Sequence, residues 1–262
     1  QTNRLTPVQI TSGTKFTKIS GGLDFNVAID EEGNLWSWGW NGNGQLGDGT
    51  QTNRLTPAQI TSGTKFIQIT TGNVHSLAID EEGNLWSWGN NSWGQLGNGT
   101  QNGRLTPVQI ASGTKFTKIS AQHDHSLAID IDGNLWSWGE NRDGQIGDGT
   151  EKARLTPVQI AKGIKFKQIS AATYSGFAID SEGNLWAWGN NYSGLLGDGT
   201  KIDRLKPVRI AKGIKFIQLS VEYFHGLAVD EEGNLWAWGN NSNGQLGDGT
   251  TIEKTIPTKV IF

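Results

Sequence analysis

A period of fifty residues that never slips constrains this chain more than any other feature. The heptapeptide Gly33-Asn34-Leu35-Trp36-Ser37-Trp38-Gly39 returns at Gly83, Gly133, Gly183 and Gly233, with Ala replacing Ser in the last two copies. Self-similarity at such a period defines a repeat architecture, in which each unit buries its apolar face against its neighbours. One repeat domain over residues 1–262 is expected, with units 1–50, 51–100, 101–150, 151–200 and 201–250 and a terminal closing strand at 251–262. The copies also control for one another. Positions identical in all five are what the unit needs to fold. Positions that differ inside the fixed pattern are free for function.

Composition follows the repeat. Of the 12 Trp residues, all but Trp40 and Trp93 fall in the columns of Trp36 and Trp38. The 6 Pro residues share the column of Pro7, and most of the 37 Gly fall in six columns that begin at Gly13, Gly33, Gly39, Gly44, Gly47 and Gly49. These residues punctuate a fold and are not evidence of a site. The net charge of -3 leaves no basic footprint for nucleic acid. The absence of Cys removes disulfides, thiolate metal sites and cysteine nucleophiles. No apolar run is long enough for a membrane span, so no membrane partner is expected. Met is absent even at position 1, as expected for a processed or excised chain.

Each unit reads as four short β segments, at residues 6–10, 16–20, 26–30 and 35–39 of the first copy. They are rich in β-branched and aromatic residues and bounded by Gly, Ser, Thr, Asn and Asp. Helical periodicity is missing. Residues 30–34 predict a hairpin turn with Gly33 at positive φ. Pro7 suits an edge strand, because proline cannot donate to a ladder on both sides. Trp36 and Trp38 share one strand face, and the small residue between them takes the other. Bulk on one face and a small side chain on the other suit stacked sheets. The fold class is therefore all-β, a β-propeller of four-stranded antiparallel blades with five repeat units plus one extra terminal strand.

The run from Trp38 to Thr50, Trp-Gly-x-Asn-x-x-Gly-Gln-Leu-Gly-x-Gly-Thr, resembles the repeat of the regulator of chromosome condensation family. So does Ile-x-x-x-x-x-His-Ser-Leu-Ala-Ile-Asp, which ends at Asp80 and again at Asp130. The resemblance covers all five units. It implies a propeller that binds proteins across one face, in a family that includes exchange factors, ubiquitin-ligase propellers, a plant photoreceptor and a secreted β-lactamase inhibitor. Family propellers usually have seven blades. The five units here, with six copies of the Pro segment, describe either a closed five-blade ring with a spare strand or a slice of a larger ring. Exposed edges in the second case would favour self-association.

Function is sought where the copies disagree. One variable patch holds Leu23, Asp24 and Phe25, then Asn73, Val74 and His75, then His123, Asp124 and His125, then Tyr174, then Glu222, Tyr223, Phe224 and His225. A second flanks the invariant Asn41 column and holds Trp40 and Asn43, Trp93, then Glu140, Arg142 and Asp143, then Tyr192. In a meander alternate loops emerge on one side, so both patches lie on one face. The opposite loops, 11–14 and 31–34, vary less. A diversified face rich in aromatic, His and charged residues has the composition of an interaction surface. The expected role is a non-enzymatic scaffold that binds a protein partner there. Two other readings fit the same residues: a designed or recently amplified repeat with no selected ligand, and a carbohydrate-binding propeller that uses the loop aromatics.

Chemistry of other kinds is weak. His75, His125 and His225 share a column but sit on separate units, too far apart for one ion. His123 and His125 are two residues apart and lack a third ligand. No metal or cofactor is expected. Residues 42–47 match a dinucleotide glycine pattern in letters, yet they open no helix to hold a phosphate. Asp30 and its copies read as turn-closing acceptors rather than catalytic acids. Asn98-Gly99-Thr100 matches a glycosylation sequon, a match short enough to arise by chance.

Overall fold

The computed structural model describes residues 5–11, 13–60 and 63–261. Residues 1–4, Ser12, Thr61, Ser62 and Phe262, which include the first residues of the repeat domain and part of its less varied loops, lie outside the described residues. The described chain forms five four-stranded sheets and no helix. No helix is therefore long and apolar enough to cross a membrane.

The first sheet contains β1 (Phe16–Gly21), β2 (Phe25–Asp30), β3 (Leu35–Gly39) and β4 (Arg54–Ile60) in sequential antiparallel order. The four other sheets repeat it. Each blade borrows its fourth strand from the next repeat unit, since β4 is the Pro segment of unit two. The register shifts between Ser37 and Gly39 beside Pro57, which lies on the outer edge where a missing N–H is harmless. Lys254–Lys259 completes the fifth blade in the same way. The odd copy among six is therefore the first. Residues 7–10 form no strand, contrary to the sequence expectation, and Val8 and Ile10 are exposed. Their sequence is as competent as that of β4, but among the described residues no β3-like edge pairs with them.

Inside each unit the hairpin turn is built on one aspartate. Asp30 Oδ1 accepts from the backbone N–H groups of Glu32 and Asn34, and Oδ2 accepts from Asn34 Nδ2 and the Trp36 indole. Gly33 sits at φ +78, as expected for the turn. Asn41 shapes the glycine-rich loop after β3. Its Oδ1 accepts from Leu46 N at 3.0 Å, and its Nδ2 donates to the Thr50 carbonyl at 3.0 Å.

The blades join by a repeated set of contacts. At the first joint Phe66 N–H donates to Gly33 O at 2.9 Å, Lys65 Nζ donates to Asn34 Oδ1 at 2.5 Å, and the Trp88 indole donates to Gln45 O at 2.9 Å. Equivalent bonds recur at the next three joints. Between the fifth blade and the first, none of the three is made among the described residues. Trp38 is only half-buried where Trp88, Trp138, Trp188 and Trp238 are fully buried, and Ile19 is 80% exposed. The blades form an arc around a shared axis with an open junction, not a sealed five-blade ring. Apolar cores fill the space between successive blades, with Phe66, Phe116, Phe166 and Phe216 edge-on to the Trp86 column.

Candidate binding face

Both variable patches lie on one side of the arc, and the backbone ties them together. Trp40 N–H donates to Asp24 O at 2.8 Å, and Asn90, Glu140, Asn190 and Asn240 repeat the bond to Val74, Asp124, Tyr174 and Phe224. Each unit thus presents its β1–β2 and β3–β4 loops as one ridge. The opposite side carries the Asp30 turns and the Gly33–Phe66 and Asn34–Lys65 joints, and this explains why it varies little. Adjacent ridges meet near the axis, where Leu23 N–H donates to Asn73 O and Asn73 N–H donates to His123 O, both at 3.2 Å. The inner strands of all five blades line a polar axial cavity of about 420 Å³, bounded by Ser20, Thr70, Ser120, Ser170 and Ser220. Gln122 reaches across it to Glu222 at 2.9 Å.

The expected face residues divide by burial. Leu23, Asp24, Trp40, Arg142, Tyr192, Glu222, Tyr223 and Phe224 are exposed, with Tyr192 at 79% and Tyr223 at 55%. Asn43, Asn73, Val74, Trp93, His123, Asp124, Asp143, Tyr174 and His225 are half-buried. Phe25, His75, His125 and Glu140 are buried and belong to the interior, a correction to the sequence reading. The first three begin the second strand of their blades, where the side chain enters the joint with the next blade. The position varies because the joint tolerates several side chains, not because it faces solvent.

His75 illustrates that interior role. Its Nε2 lies 3.0 Å from Ser126 Oγ of the next blade, and that hydroxyl lies 3.0 Å from Gln95 O. A Ser–His pair sealed away from solvent is a joint, not a nucleophile. Burial, then the neighbouring His125 and His123, push the His75 pKa down to about 3. Burial likewise lowers His125 to about 4. In the turns, burial opposes the charge of Asp30, but its four donors outweigh it and hold the carboxyl below its ordinary range.

The densest part of the face spans units two to four. The Arg142 guanidinium covers the Trp93 ring at 4.1 Å, and the His123 ring packs against Tyr174 at 5.2 Å. His123 Nδ1 lies 3.4 Å from both Asp124 Oδ2 and Glu140 Oε2. Gln95 Nε2, from the preceding unit, donates to Asp124 Oδ1 at 2.7 Å. Sequence reasoning considered His123 with His125 and missed its true neighbours. The signal that it passed over was Glu140, an acid in a column that is Asn in units two, four and five.

An open arc of four-stranded blades with one variable loop face is the class of protein that this geometry defines: a repeat β-propeller. The profile of the RCC1-like domain family matches residues 1–262, and the chain belongs to that family. Human WBSCR16 superimposes with a TM-score of 0.84 at 22% identity, over 95% of this chain and 68% of that one. The structure of Kap60 bound to yeast RCC1 (Prp20) gives 0.80 at 23% identity, over 93% of this chain and 63% of the other. Prp20p from Saccharomyces cerevisiae, described with its binding to Gsp1p and histones, gives 0.59 at 20% identity, over 94% and 77%. These likenesses show the fold. The chain spans about two-thirds of the first two structures. No curated protein matches the chain in sequence.

Proposed function

We propose that this propeller acts by binding a protein partner across its variable loop face, not by catalysis. The observation that carries the reading is the pairing of the two variable loops of every unit into one ridge, with Leu23, Trp40, Tyr192, Tyr223 and Phe224 exposed along it. Trp, Tyr and Arg anchors dominate the energetics of protein interfaces. The Prp20p structure names Gsp1p and histones as what that protein binds, and a scaffold role here is consistent with the family. A protein ligand fits better than a sugar. Arg142 covers Trp93 and so withdraws one of the two loop tryptophans from sugar stacking, leaving Trp40 as the exposed one.

The test is affinity capture followed by titration of the recovered partner against the wild type and a Trp40→Ala, Trp93→Ala, Tyr174→Ala, Tyr223→Ala variant. Affinity falls at least tenfold while the circular dichroism spectrum and melting point are kept. Unchanged affinity in the folded variant would overturn the reading, and specific retention on a glycan array would replace it with the carbohydrate one.

A further inference from the structure

We propose that His123, Asp124 and Glu140 form a divalent transition-metal site, of the kind that takes Zn2+ or Co2+, at the rim of the binding face. One ligand atom from each of the three residues lies within 4.8 Å of the other two. His123 Nδ1 is 3.4 Å from each carboxylate. The edge of a tetrahedron with metal–ligand bonds of about 2.0–2.1 Å is about 3.3–3.4 Å, so the two edges from His123 Nδ1 already match. A neutral imidazole and two carboxylates balance a charge of +2, and an N/O donor set suits these borderline ions. The fourth position is left for water or for a donor from a partner.

Two observations point to a ligand rather than to a self-sufficient polar cluster. Glu140 is only 7% exposed, and its Oε2 and His123 Nδ1 are both buried with no well-aligned hydrogen bond, their contact being the 3.4 Å approach to each other. Leaving such atoms unpaired is costly. Moreover, Glu140 gives up a bond that the Asn in its column makes in units two and five. In units two and five, Asn90 and Asn240 accept from Gln95 Nε2 and Gln245 Nε2 through Oδ1. With Glu140 in place, Gln145 Nε2 has no partner. Gln45 Nε2, beside Trp40 in unit one, is unpartnered too, so the fold tolerates the orphaned amide; what sets unit three apart is the buried carboxylate that a metal would use.

The surroundings hold the three donors in position. The Glu140 N–H bond to Asp124 O, 2.9 Å long, joins the two loops that carry them. Gln95 engages Asp124 Oδ1 and leaves Oδ2 turned toward His123, as an outer partner orients a metal ligand. His123 is held at φ +49 by the Asn73 bond to its carbonyl and by the packed Tyr174 ring. Only unit three has all three donors. Unit one has Asp24, but Leu23 and Trp40 stand in the other two positions.

The test uses the full chain without an affinity tag, stripped with chelator. Equilibrium dialysis against Zn2+ is expected to find one ion per chain, and Co2+ to give visible bands of a four-coordinate N/O site. Glu140→Asn installs the residue that units two, four and five carry, and His123→Asn installs that of unit two, so both fit the repeat. Each is expected to weaken uptake by more than the roughly ten- to hundredfold that loss of an outer partner costs, with the melting point of the metal-free protein preserved. Absence of stoichiometric uptake by the wild type, or unchanged uptake in the folded Glu140→Asn variant, would overturn the proposal. Neither result depends on whether the face binds a protein.

Discussion

The Trp88 indole donates to the main-chain oxygen of Gln45 in the preceding blade, across 2.9 Å of fully buried space. The same oxygen accepts from Ser76 Oγ at 3.2 Å. At the next joint Trp138 and Ser126 share Gln95 O in the same way. At the third, Gly176 stands in place of the serine, and Trp188 is the sole donor to Gln145 O among the described residues. At the open junction Trp38 has no such acceptor among the described residues. Four chemically identical tryptophans therefore do different amounts of work.

Substitution by phenylalanine separates them. Trp188→Phe removes the sole donor to a buried carbonyl and leaves a cavity, so it is expected to cost the most. An unpaired buried carbonyl alone costs about 1–3 kcal/mol. Trp138→Phe leaves the serine bond in place and costs less. Trp38→Phe, at a half-buried position with no indole partner among the described residues, costs least. Urea denaturation of the three variants checks the order, and a Trp38→Phe effect equal to that of Trp188→Phe would mean that the ring is closed.

Acid should weaken the fold through His75. Its pKa is about 3 when folded, against 6.5 unperturbed. Between those values the unfolded chain binds the proton and the folded chain does not, so stability falls as pH falls. The slope contributed by one such group approaches about 1.4 kcal/mol per pH unit. His75→Phe removes this contribution and installs the residue that Phe25 supplies, buried, in unit one. Ser126 keeps its bond to Gln95 O in the variant. Stability measured between about pH 4 and 6.5 should then decline less steeply than in the wild type. An unchanged slope would show that the proton taken up on unfolding binds elsewhere.

The frame of this fold was legible because it repeats. Trp36, Asp30 and Gly33 are identical in every copy, and each makes a bond or a turn that every copy needs. The same logic failed where variation was equated with exposure. Phe25 and His75 differ in sequence yet fill equivalent buried positions, since a joint constrains volume more than chemistry. It failed differently at residues 7–10, whose sequence is that of a strand but which find no partner edge among the described residues. Glu140 was read as surface charge. Its burial beside His123 and Asp124 depends on how two loops fold together, which no local pattern encodes.

The turn aspartates should be intolerant even of an isosteric amide. Asp130 accepts two donors on each oxygen, from Asp132 N, Asn134 N, Asn134 Nδ2 and Trp136 Nε1. Asp130→Asn turns an NH2 group toward two of these donors. A loss of about 2–3 kcal/mol is expected, while Glu81→Gln, on the exposed tip of another turn, should stay within about 0.5 kcal/mol. Thermal denaturation above pH 6 distinguishes the two. Asp130 is held below its ordinary pKa, burial opposing and its donors prevailing. Its contribution is therefore present above about 3.8 and is lost as pH falls through the folded value.

Gly147 and Gly247 offer the cleanest separation of backbone strain from close packing. Both have left-handed φ values, +79 and +69, so an alanine at either meets a similar backbone penalty of about 1–2 kcal/mol. Their surroundings differ. A Cβ on Gly147 would lie 2.7 Å from Trp188 of the next blade, whereas one on Gly247 meets nothing nearer than Val260 at 4.0 Å among the described residues, at the open junction. Gly147→Ala must displace a fully buried indole that is hydrogen-bonded to Gln145 O. It is expected to lower the melting point well beyond Gly247→Ala, with an excess of about 1–3 kcal/mol in denaturant titrations. Equal losses at the two positions would show that a blade, from this chain or another copy, covers the fifth blade in solution.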